Sequence, residues 1–379
     1  MLIGVPLETA AGETRVAVTP ETAKKLIAQG HTVRVQSGAG IVASATDAAY
    51  EAAGAQITDR AGAFGCELVL KVRSPRSDAD CDELSLMKNG TALVGMLNPF
   101  DTDNLARLAA AGLTSFALEA APRTTRAQSM DVLSSQANIA GYKAVMLAAG
   151  HYQRLFPMLM TAAGTIKAAR VVILGVGVAG LQAIATAKRL GAVIEASDVR
   201  PSVKEQVESL GAKFIDVAYE TAEEKEAAVG VGGYAKPMPQ SWMDRQKVEV
   251  AKKVAAADIV ISTALIPGRA APVLITEDMV KSMKPGSVIV DMAAPAGGNC
   301  PLTEAGKTVV KYGVTLVGET NIPALVAADS SSLYARNVLD FLKLILPKDL
   351  PKDSGIAVPM DDDIVVACLM TQSGEVKRK

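Results

Sequence analysis

A glycine-rich turn near the middle of the chain has the spacing that holds the pyrophosphate of a dinucleotide. Gly175, Gly177 and Gly180 form a G-x-G-x-x-G motif between an apolar run at 171–174 and a helix predicted over 178–190. The first glycine permits a tight turn, the second lets the backbone approach the phosphates, and the third lets the helix pack close to its strand. The amides of Val178 and Ala179 would face the phosphate charge. The alternative is a turn that only tightens packing.

An acidic residue follows the second strand of the same unit. Asp198 lies 18 residues after Gly180, close to the spacing of about 20 expected for a ribose ligand. Its carboxylate would accept hydrogen bonds from the adenosine ribose and repel a 2′-phosphate, which favours NAD(H) over NADP(H). Val199 and Arg200 complete the predicted contact segment, although an arginine here sometimes accepts the 2′-phosphate.

A third segment follows the fourth strand of this unit. Thr263, Ala264 and Leu265 begin the run T-A-L-I-P-G. Ligands of doubly wound sheets bind at the carboxyl ends of the strands, so this segment is placed to line the nicotinamide half of a site. The alternative is a plain exit from a strand into a loop.

A polar loop at 122–136 precedes a long helical stretch. Arg123, Gln128, Asp131 and Ser134 supply hydrogen-bonding groups that could hold a carboxamide and a ribose. The loop joins the two predicted domains, so we expect it at the cleft between them. Helix capping by Asp131, Ser134 and Ser135 is the alternative, and both roles are compatible.

Composition excludes several kinds of chemistry. The 379 residues carry 39 Lys+Arg against 40 Asp+Glu, so the net charge of −1 argues against nucleic acid as a main partner. His31 and His151 are the only histidines, and the four cysteines form no C-x-x-C pair. We therefore expect no metal site and no disulfide framework, as in a reduced intracellular protein.

No segment of the chain is typical of a membrane span or a signal peptide. The amino terminus passes directly into a strand-like run. The longest uncharged run, 171–187, is too short and too rich in glycine for a span of about 20 apolar residues. We expect a protein that is soluble on its own, with no direct membrane insertion.

Alternating strand-like and helix-like segments predict an α/β fold with parallel sheets. Strands are predicted at 2–5, 32–36, 67–72, 92–97, 114–118, 171–174, 193–196, 213–217, 258–263, 287–292 and 314–318. Helices are predicted at 20–29, 82–88 and 101–111, with two long ones at 134–156 and 325–346.

The arrangement of these elements predicts two Rossmann-like doubly wound domains joined by two long helices. The first domain would combine 1–136 with a returning tail at 326–379, and the second would span 137–325. The acidic and glycine-rich segment 218–240 is longer than an ordinary connection, which is typical of a functional lid or of a tolerated surface insertion.

Together, these motifs make the chain resemble the NAD(H)-binding subunit, or domain I, of proton-translocating NAD(P) transhydrogenases. The resemblance covers nearly the whole chain. It rests on E-T-R-V-A from Glu13, P-R-x-x-R-A-Q-S-M-D-x-L-S-S-Q from Pro122, M-T-A-A-G-T from Met160, G-V-G-V-A-G-L-Q-A-I-A-T-A-K-R-L-G-A from Gly175, G-G-Y-A-K from Gly232, T-A-L-I-P-G from Thr263 and G-G-N-C from Gly297.

This resemblance implies a role for each region of the candidate site. Arg123, Gln128, Asp131 and Ser134 match the loop that holds the nicotinamide and its ribose, and Tyr234 matches the tyrosine of a loop that closes over NAD(H). The family forms homodimers on the cytoplasmic or matrix side of the membrane. It exchanges hydride (a Si-Re type reaction) with NADP(H) on a partner domain, while a membrane-spanning subunit moves protons. We therefore expect a cytoplasmic subunit, peripheral on the cytoplasmic face of the inner membrane.

Alanine dehydrogenase is the sibling family and gives the main alternative function. Arg15 and Lys71 match its pyruvate-binding cations and do not discriminate. Its catalytic histidine should fall in 91–97 and its aspartate just before Gly297, where this chain has Gly95 with Met96 and Pro295. Amino-acid oxidation needs a general base, whereas hydride transfer between nicotinamides needs none. A non-catalytic NAD(H)-sensing module is the third possibility.

Overall fold

The computed structural model of the protein describes residues 1–229, 238–266, 268–346 and 355–378. The chain divides into two compact units, the first formed by Met1–Gln136 with Pro323–Lys379 and the second by Ala137–Ile322. Each unit contains a mainly parallel sheet covered by helices, which confirms the predicted α/β fold with two Rossmann-like doubly wound sheets.

The sheet of the first unit has eight strands in the order β19-β18-β8-β7-β4-β1-β2-β3. The parallel strands β1, β2, β3, β4, β7 and β8 show the doubly wound order, and the chain returns at its end to add β18 antiparallel to β8. A separate two-stranded ribbon pairs β5 with β6. The bounds are β1 Leu2–Val5, β2 Thr32–Gln36, β3 Gln56–Thr58, β4 Leu68–Arg73, β5 Ser77–Asp78, β6 Cys81–Asp82, β7 Ala92–Met96, β8 Thr114–Ala117, β18 Leu369–Gln372 and β19 Glu375–Val376.

The sheet of the second unit has seven strands in the order β13-β12-β11-β14-β15-β17-β16. All its neighbours are parallel except β16, which pairs antiparallel with β17 at the edge. A separate hairpin pairs β9 with β10. The bounds are β9 Leu159–Thr161, β10 Gly164–Ile166, β11 Arg170–Leu174, β12 Val193–Ser197, β13 Lys213–Phe214, β14 Ile259–Ser262, β15 Val288–Asp291, β16 Thr308–Lys311 and β17 Val314–Val317.

Twelve α-helices occur within the described ranges, and their ends follow local signals. Thr19 and Thr22 form a capping box at the start of the first, with Pro20 at its first position. The bounds are α1 Pro20–Ala28, α2 Asp47–Ala52, α3 Arg60–Phe64, α4 Thr102–Ala110, α5 Val132–His151, α6 Val178–Arg189, α7 Lys204–Ser209, α8 Ala222–Val229, α9 Gln240–Ala256, α10 Glu277–Ser282, α11 Ala327–Ile345 and α12 Asp363–Cys368. Among these helices, none combines the length and apolar character that a membrane crossing requires.

The hydrophobic core of each unit lies on both faces of its sheet. In β11, Val171 and Ile173 pack into one buried cluster while Val172 and Leu174 pack into another. Successive side chains of a strand point to opposite faces, so a strand covered on both sides is apolar at every position. This explains why the central strands were predictable as uninterrupted apolar runs.

The long helices connect the units differently from each other. Helix α5 crosses the boundary at residues 136 and 137, whereas the second crossing falls in a short 3₁₀ segment, Ile322–Val326, just before α11. Helix α5 also ends at His151, earlier than the predicted residue 156, because Tyr152 and Phe156 leave the helix and pack edge to face in the core.

The predicted helix at 82–88 is wrong. This segment contains β6 and a 3₁₀ turn at Leu84–Leu86 instead. The carboxylate of Glu83, which is fully buried, accepts from Arg76 N at 3.0 Å and lies 3.2 Å from Lys71 Nζ. These long-range polar contacts fix a turn where the local pattern favours a helix. The predicted strand at 213–217 is shorter than expected, since only Lys213–Phe214 pairs with β12.

Candidate functional site

The glycine turn lies where the strand order of the second sheet reverses. β11 and β14 are neighbours in the sheet, and the chain winds outward from them in opposite directions. Gly175 follows β11 and Thr263 follows β14, so both stand at the carboxyl ends that flank this switch point. Thr263 Oγ1 donates to the carbonyl of Gly175 at 3.0 Å. Doubly wound sheets bind their ligands in this crevice.

The three motif glycines have different structural reasons. Gly175 has a φ of +94°, which side chains rarely adopt. A Cβ on Gly180 would lie 2.0 Å from the carbonyl oxygen of Gly175, so only glycine lets α6 approach the turn. A Cβ on Gly177 would meet no atom within 4 Å, and its φ of −82° suits any residue. Glycine at position 177 is therefore not required by the fold, which points to a ligand.

The start of α6 presents backbone donors beside this open position. Gly177 is the N-cap residue and has no side chain to satisfy the first amides of the helix. Val178 is partly exposed there, and Ala179 is half-buried. Free amides and the positive end of a helix dipole suit a phosphate group, so the residues present fit a dinucleotide pyrophosphate.

Asp198 lies directly after β12 and is already bound by several donors. Its Oδ2 accepts from Val176 N at 2.7 Å and from Arg200 Nη2 at 3.0 Å. Its Oδ1 accepts from the backbone N of Arg200 at 2.8 Å and from Arg200 Nε at 2.9 Å. Hydrogen bonding to Asp198 raises the pKa of the Arg200 guanidinium. The carboxylate is thus joined to the middle of the glycine turn.

Gln246 on α9 supports Asp198 and was not found from the sequence. Its Nε2 donates to the carbonyl of Asp198 at 3.0 Å and to Ser197 Oγ at 3.2 Å, and its side chain is buried. A polar residue at a buried helix position was the available signal, but its partner lies 48 residues away in sequence.

The segment that begins at Thr263 is held by a buried polar network. Asn299 donates through Nδ2 to the carbonyl of Ala264 at 2.9 Å and accepts from Ala264 N at 3.2 Å. The fully buried carboxylate of Asp291 in turn accepts from the backbone N of Asn299 and from Thr303 Oγ1. Leu265 is half exposed beyond this anchor. Asp291 and Asn299 are therefore positioning residues that were not found from the sequence.

The polar loop of the first unit is partly a helix cap. Asp131 Oδ1 accepts from Ser134 N at 2.9 Å and Asp131 Oδ2 from Ser134 Oγ at 2.6 Å, which caps the start of α5. Arg123 and Gln128 are exposed. The capping alternative is therefore seen for Asp131 and Ser134, while the side chains of Arg123 and Gln128 face solvent.

Helix α11 supports this loop from within the first unit. Asn337 Nδ2 donates to the carbonyl of Ser129 at 2.7 Å, and Ser135 Oγ bonds Asn337 Oδ1 at 2.7 Å. Gln136 accepts from Arg15 Nη1 at 2.7 Å. These contacts fix the backbone on both sides of Gln128.

Tyr234 lies outside the described residues, so its predicted position is not covered by the structure. The helices on either side of the segment are joined by Glu224, which accepts from Ser241 Oγ at 2.9 Å and Arg245 Nη2 at 2.7 Å. A hydrogen bond from the Glu220 amide, together with Arg245, lowers the pKa of Glu224 to about 2.

The corresponding switch point of the first sheet, between β1 and β4, is filled with charged side chains. Lys71 Nζ lies 3.2 Å from carboxylate oxygens of both Glu8 and Glu83, and all three side chains are buried. Arg15 is paired with Glu13 in the same way. Burial lowers the pKa of Lys71, but the two carboxylates outweigh this effect and the net shift is upward. Both pyruvate-type cations are thus bound to internal carboxylates.

Neither position expected for an alanine dehydrogenase base carries one. Gly95 and Met96 end β7, and Pro295 lies in a short 3₁₀ segment. A cavity of about 380 Å³ beside Met96 does contain a carboxyl group, that of Glu119. Burial raises its pKa to about 7, against the lowering effect of the Asn98 and Leu97 amides that it accepts. Glu119 was not found from the sequence, because only the two positions that match the sibling family were considered for a base.

No group of three or more His, Cys, Asp or Glu side chains suited to a metal ion occurs in the portion of the chain that the structure describes. The candidate site is therefore built from glycines, backbone amides and single polar side chains.

The fold and the glycine turn define a dinucleotide-binding protein with two doubly wound units. The chain belongs to the alanine dehydrogenase/PNT family, whose N-terminal domain matches residues 4–140 and whose C-terminal domain matches residues 144–379.

Within this family the chain is similar to transhydrogenase alpha subunits, as the sequence motifs predicted. It is 50% identical to the first of the polypeptides that make up the NAD(P) transhydrogenase alpha subunit of Rhodospirillum rubrum, over 99% of this chain and 97% of that protein. The structure of a transhydrogenase from Sinorhizobium meliloti matches with a TM-score of 0.88 and 45% identity, over 99% of this chain and 100% of that one. An L-alanine dehydrogenase structure matches with a TM-score of 0.80 and 27% identity, over 99% and 96% of the two chains, which confirms it as the sibling.

Proposed function

We propose that this chain is the NAD(H)-binding component of a proton-translocating NAD(P) transhydrogenase of the Si-Re type. The observation that carries the proposal is the glycine turn at the switch point, open above Gly177, in a chain that is 50% identical to a transhydrogenase alpha subunit polypeptide. When bound, NADH supplies the hydride, which passes directly to NADP⁺ on a partner domain. The protein supplies binding, orientation and exclusion of water.

In this proposal the second unit holds the dinucleotide. The glycine turn with the amides of Val178 and Ala179 would bind the pyrophosphate, and the segment from Asp198 to Arg200 would bind the adenosine ribose. Thr263, Ala264 and Leu265 would border the nicotinamide, on the anchor that Asn299 provides.

The first unit contributes the polar loop. Gln128 and Arg123 have exposed side chains on a backbone fixed by Asn337, which suits groups that must orient a carboxamide. Asp131 and Ser134 would add contacts to the nicotinamide ribose, as the resemblance implies, and Tyr234 would close over the bound dinucleotide. Orientation matters because donor and acceptor carbons must approach to roughly 3–3.5 Å.

Two observations favour hydride transfer over alanine oxidation. First, Gly95, Met96 and Pro295 occupy the positions of the dehydrogenase's acid–base groups, and none of them can transfer a proton. Second, the carboxylates of Glu13 and Glu8 already neutralise Arg15 and Lys71, so a substrate carboxylate would have to displace a buried ion pair.

The partners follow from the same proposal. We expect a homodimer that works with an NADP(H)-binding domain or subunit and with a membrane-spanning proton-channel subunit. The chain would then lie on the cytoplasmic face of the inner membrane as a peripheral subunit.

The direct test is reconstitution with the NADP(H)-binding partner domain. Hydride transfer from NADH to NADP⁺ or an analogue is expected in the mixture and not with either component alone. Oxidation of L-alanine with NAD⁺ by the isolated chain would instead favour the dehydrogenase function. NADH binding without any transfer in the mixture would favour the sensing module.

Gln128→Ala tests the role of the polar loop. We expect a much larger decrease in the transfer rate than in NADH affinity, because Gln128 would set geometry rather than supply most of the binding energy. Gln56→Ala, which removes an exposed glutamine on the edge strand β3, is the matched control. Equal losses of rate and affinity would contradict the proposed role.

Glu119→Gln separates direct transfer from base catalysis. Direct transfer needs no proton acceptor, so this variant should keep its transhydrogenation rate in the reconstituted mixture. A loss of activity that follows a titration near the pKa of Glu119, about 7, would instead identify the carboxylate as a base.

A further inference from the structure

The carboxylate of Asp198 has no hydrogen-bonding position left for a ribose. An ionised carboxylate offers about four lone-pair sites. In this structure two are taken by the backbone amides of Val176 and Arg200, and two by Nε and Nη2 of the Arg200 side chain. The vicinal hydroxyls of a ribose also donate two hydrogen bonds, so they need the positions that the guanidinium holds.

The two kinds of donor differ in how easily they can leave. The amides belong to the glycine turn and to the backbone after β12, and Gln246 fixes that backbone through the carbonyl of Asp198. The Arg200 side chain is 38% exposed, whereas that of Asp198 is 6% exposed. The guanidinium can therefore turn into solvent while the carboxylate keeps both amides and its orientation.

We propose that Arg200 is a specificity-determining residue of the adenosine subsite, whose guanidinium competes with the ribose hydroxyls for the carboxylate of Asp198. This inference rests on the proposed NAD(H) function and adds a regulation of affinity within that site. Its energetic effect is modest, because a partly exposed ion pair contributes about 0.2–1 kcal/mol, equivalent to roughly a two- to fivefold change in affinity.

The same ion pair affects the discrimination against NADP(H). A bare carboxylate repels a 2′-phosphate, and a neighbouring guanidinium offsets that repulsion or pairs with the phosphate itself. Arg200 therefore weakens NADH binding through competition and weakens the rejection of NADPH through charge. Its removal should widen the preference for NADH from both directions.

The test compares the wild-type chain with Arg200→Met, titrated with NADH and NADPH through the fluorescence of the reduced nicotinamide. Methionine keeps some of the apolar stem but has no donor and no charge. We expect NADH to bind roughly two- to fivefold more tightly and NADPH to bind more weakly by a similar factor. Arg189→Met, which removes an exposed arginine at the end of α6, is the matched control and should change neither affinity.

Arg200→Lys is the second variant. It keeps the charge but loses the two-nitrogen geometry, so NADH should bind more tightly than in the wild type while NADPH changes little. This variant decides the question if Arg200→Met fails to fold, as judged by thermal unfolding.

The outcomes separate the inference from the proposed function. Weaker or unchanged NADH binding in folded Arg200 variants would overturn the competition between Arg200 and the ribose and leave the proposed function standing. Absence of NADH binding by the wild-type chain would overturn the proposed function, and the inference with it.

Discussion

Gly180 faces the carbonyl oxygen of Gly175 so closely that a Cβ on Gly180 would lie 2.0 Å from that oxygen. The contact joins the first turn of α6 to the turn that follows β11. It means that the third motif glycine is a requirement of packing, whereas the open position at Gly177 is a requirement of something that packs against the turn.

Gly180→Ala should destabilise the second unit. The added methyl group meets backbone atoms, which cannot rotate away, so α6 has to shift from the strand. Overpacking of this kind costs about 1–3 kcal/mol. Urea denaturation should show the loss as a lower midpoint, and an unchanged midpoint would contradict the packing argument.

Gly177→Ala should have the opposite pattern. Its Cβ meets no atom within 4 Å and its backbone conformation suits alanine, so the free energy of unfolding should change by less than about 0.5 kcal/mol. NADH affinity should fall by at least about tenfold, because the methyl group occupies the space through which the backbone approaches the pyrophosphate. Fluorescence titration measures the affinity, and wild-type binding in this variant would show that the open position is not the phosphate site.

Gly141 and Gly150 lie in the same helix, α5, and should respond differently to alanine. A Cβ on Gly141 would lie 2.2 Å from the carbonyl oxygen of Ala179, whereas a Cβ on Gly150 meets nothing within 4 Å. Gly141→Ala should lower stability by about 1–3 kcal/mol and weaken NADH binding, since it displaces the start of α6.

Gly150→Ala is the matched control for this comparison. Helix propensity alone favours alanine over glycine by about 1 kcal/mol, so this variant should be slightly more stable than the wild type. Similar destabilisation by both substitutions would show that α5 tolerates no added methyl groups, and that contact with Ala179 is not the cause.

Glu119 should make stability depend on pH in the neutral range. Burial raises its pKa from 4.5 to about 7 in the folded chain, so the protonated form is the one that folding favours. The resulting stability is fully present below about pH 4.5 and is lost as the pH rises through about 7, by at most about 3 kcal/mol.

The measurement is the free energy of unfolding of the wild type minus that of Glu119→Gln, followed from about pH 5 to about pH 8. The difference should decrease as the pH rises. Glu51→Gln, on the exposed side of α2, provides the comparison for an ordinary surface carboxyl group. A flat difference for Glu119→Gln would place its pKa near that of a free glutamate.

Local pattern was sufficient where neighbours in sequence impose the structure. Strands β1 and β2 have the predicted bounds, and α1 begins at the predicted capping threonine. The glycine motif was readable for the same reason, because its turn, strand and helix are contiguous in the chain. The antiparallel strand β16 and the hairpin of β9 and β10 were missed, since short exposed strands of mixed polarity carry little periodic signal.

Tertiary contacts decided the rest. Glu83 turned a predicted helix into a 3₁₀ segment because its carboxylate lies beside Lys71 and accepts from the Arg76 amide. The partners of Asp291 and Gln246 come from other strands and loops, so no local spacing indicates them.

The amino-acid sequence by itself determined that this protein has a dinucleotide-binding turn, an acidic residue one strand later and no histidine or aspartate at the alanine dehydrogenase positions. These are statements about residue type and spacing, and such features are properties of the chain before it folds. Only the tertiary structure decided that Arg200 occupies the carboxylate of Asp198, that Gly177 is open while Gly180 is not, and that Glu119 is a carboxyl group with a pKa of about 7. Burial, saturation of hydrogen bonds and steric room depend on which distant groups fold against each other.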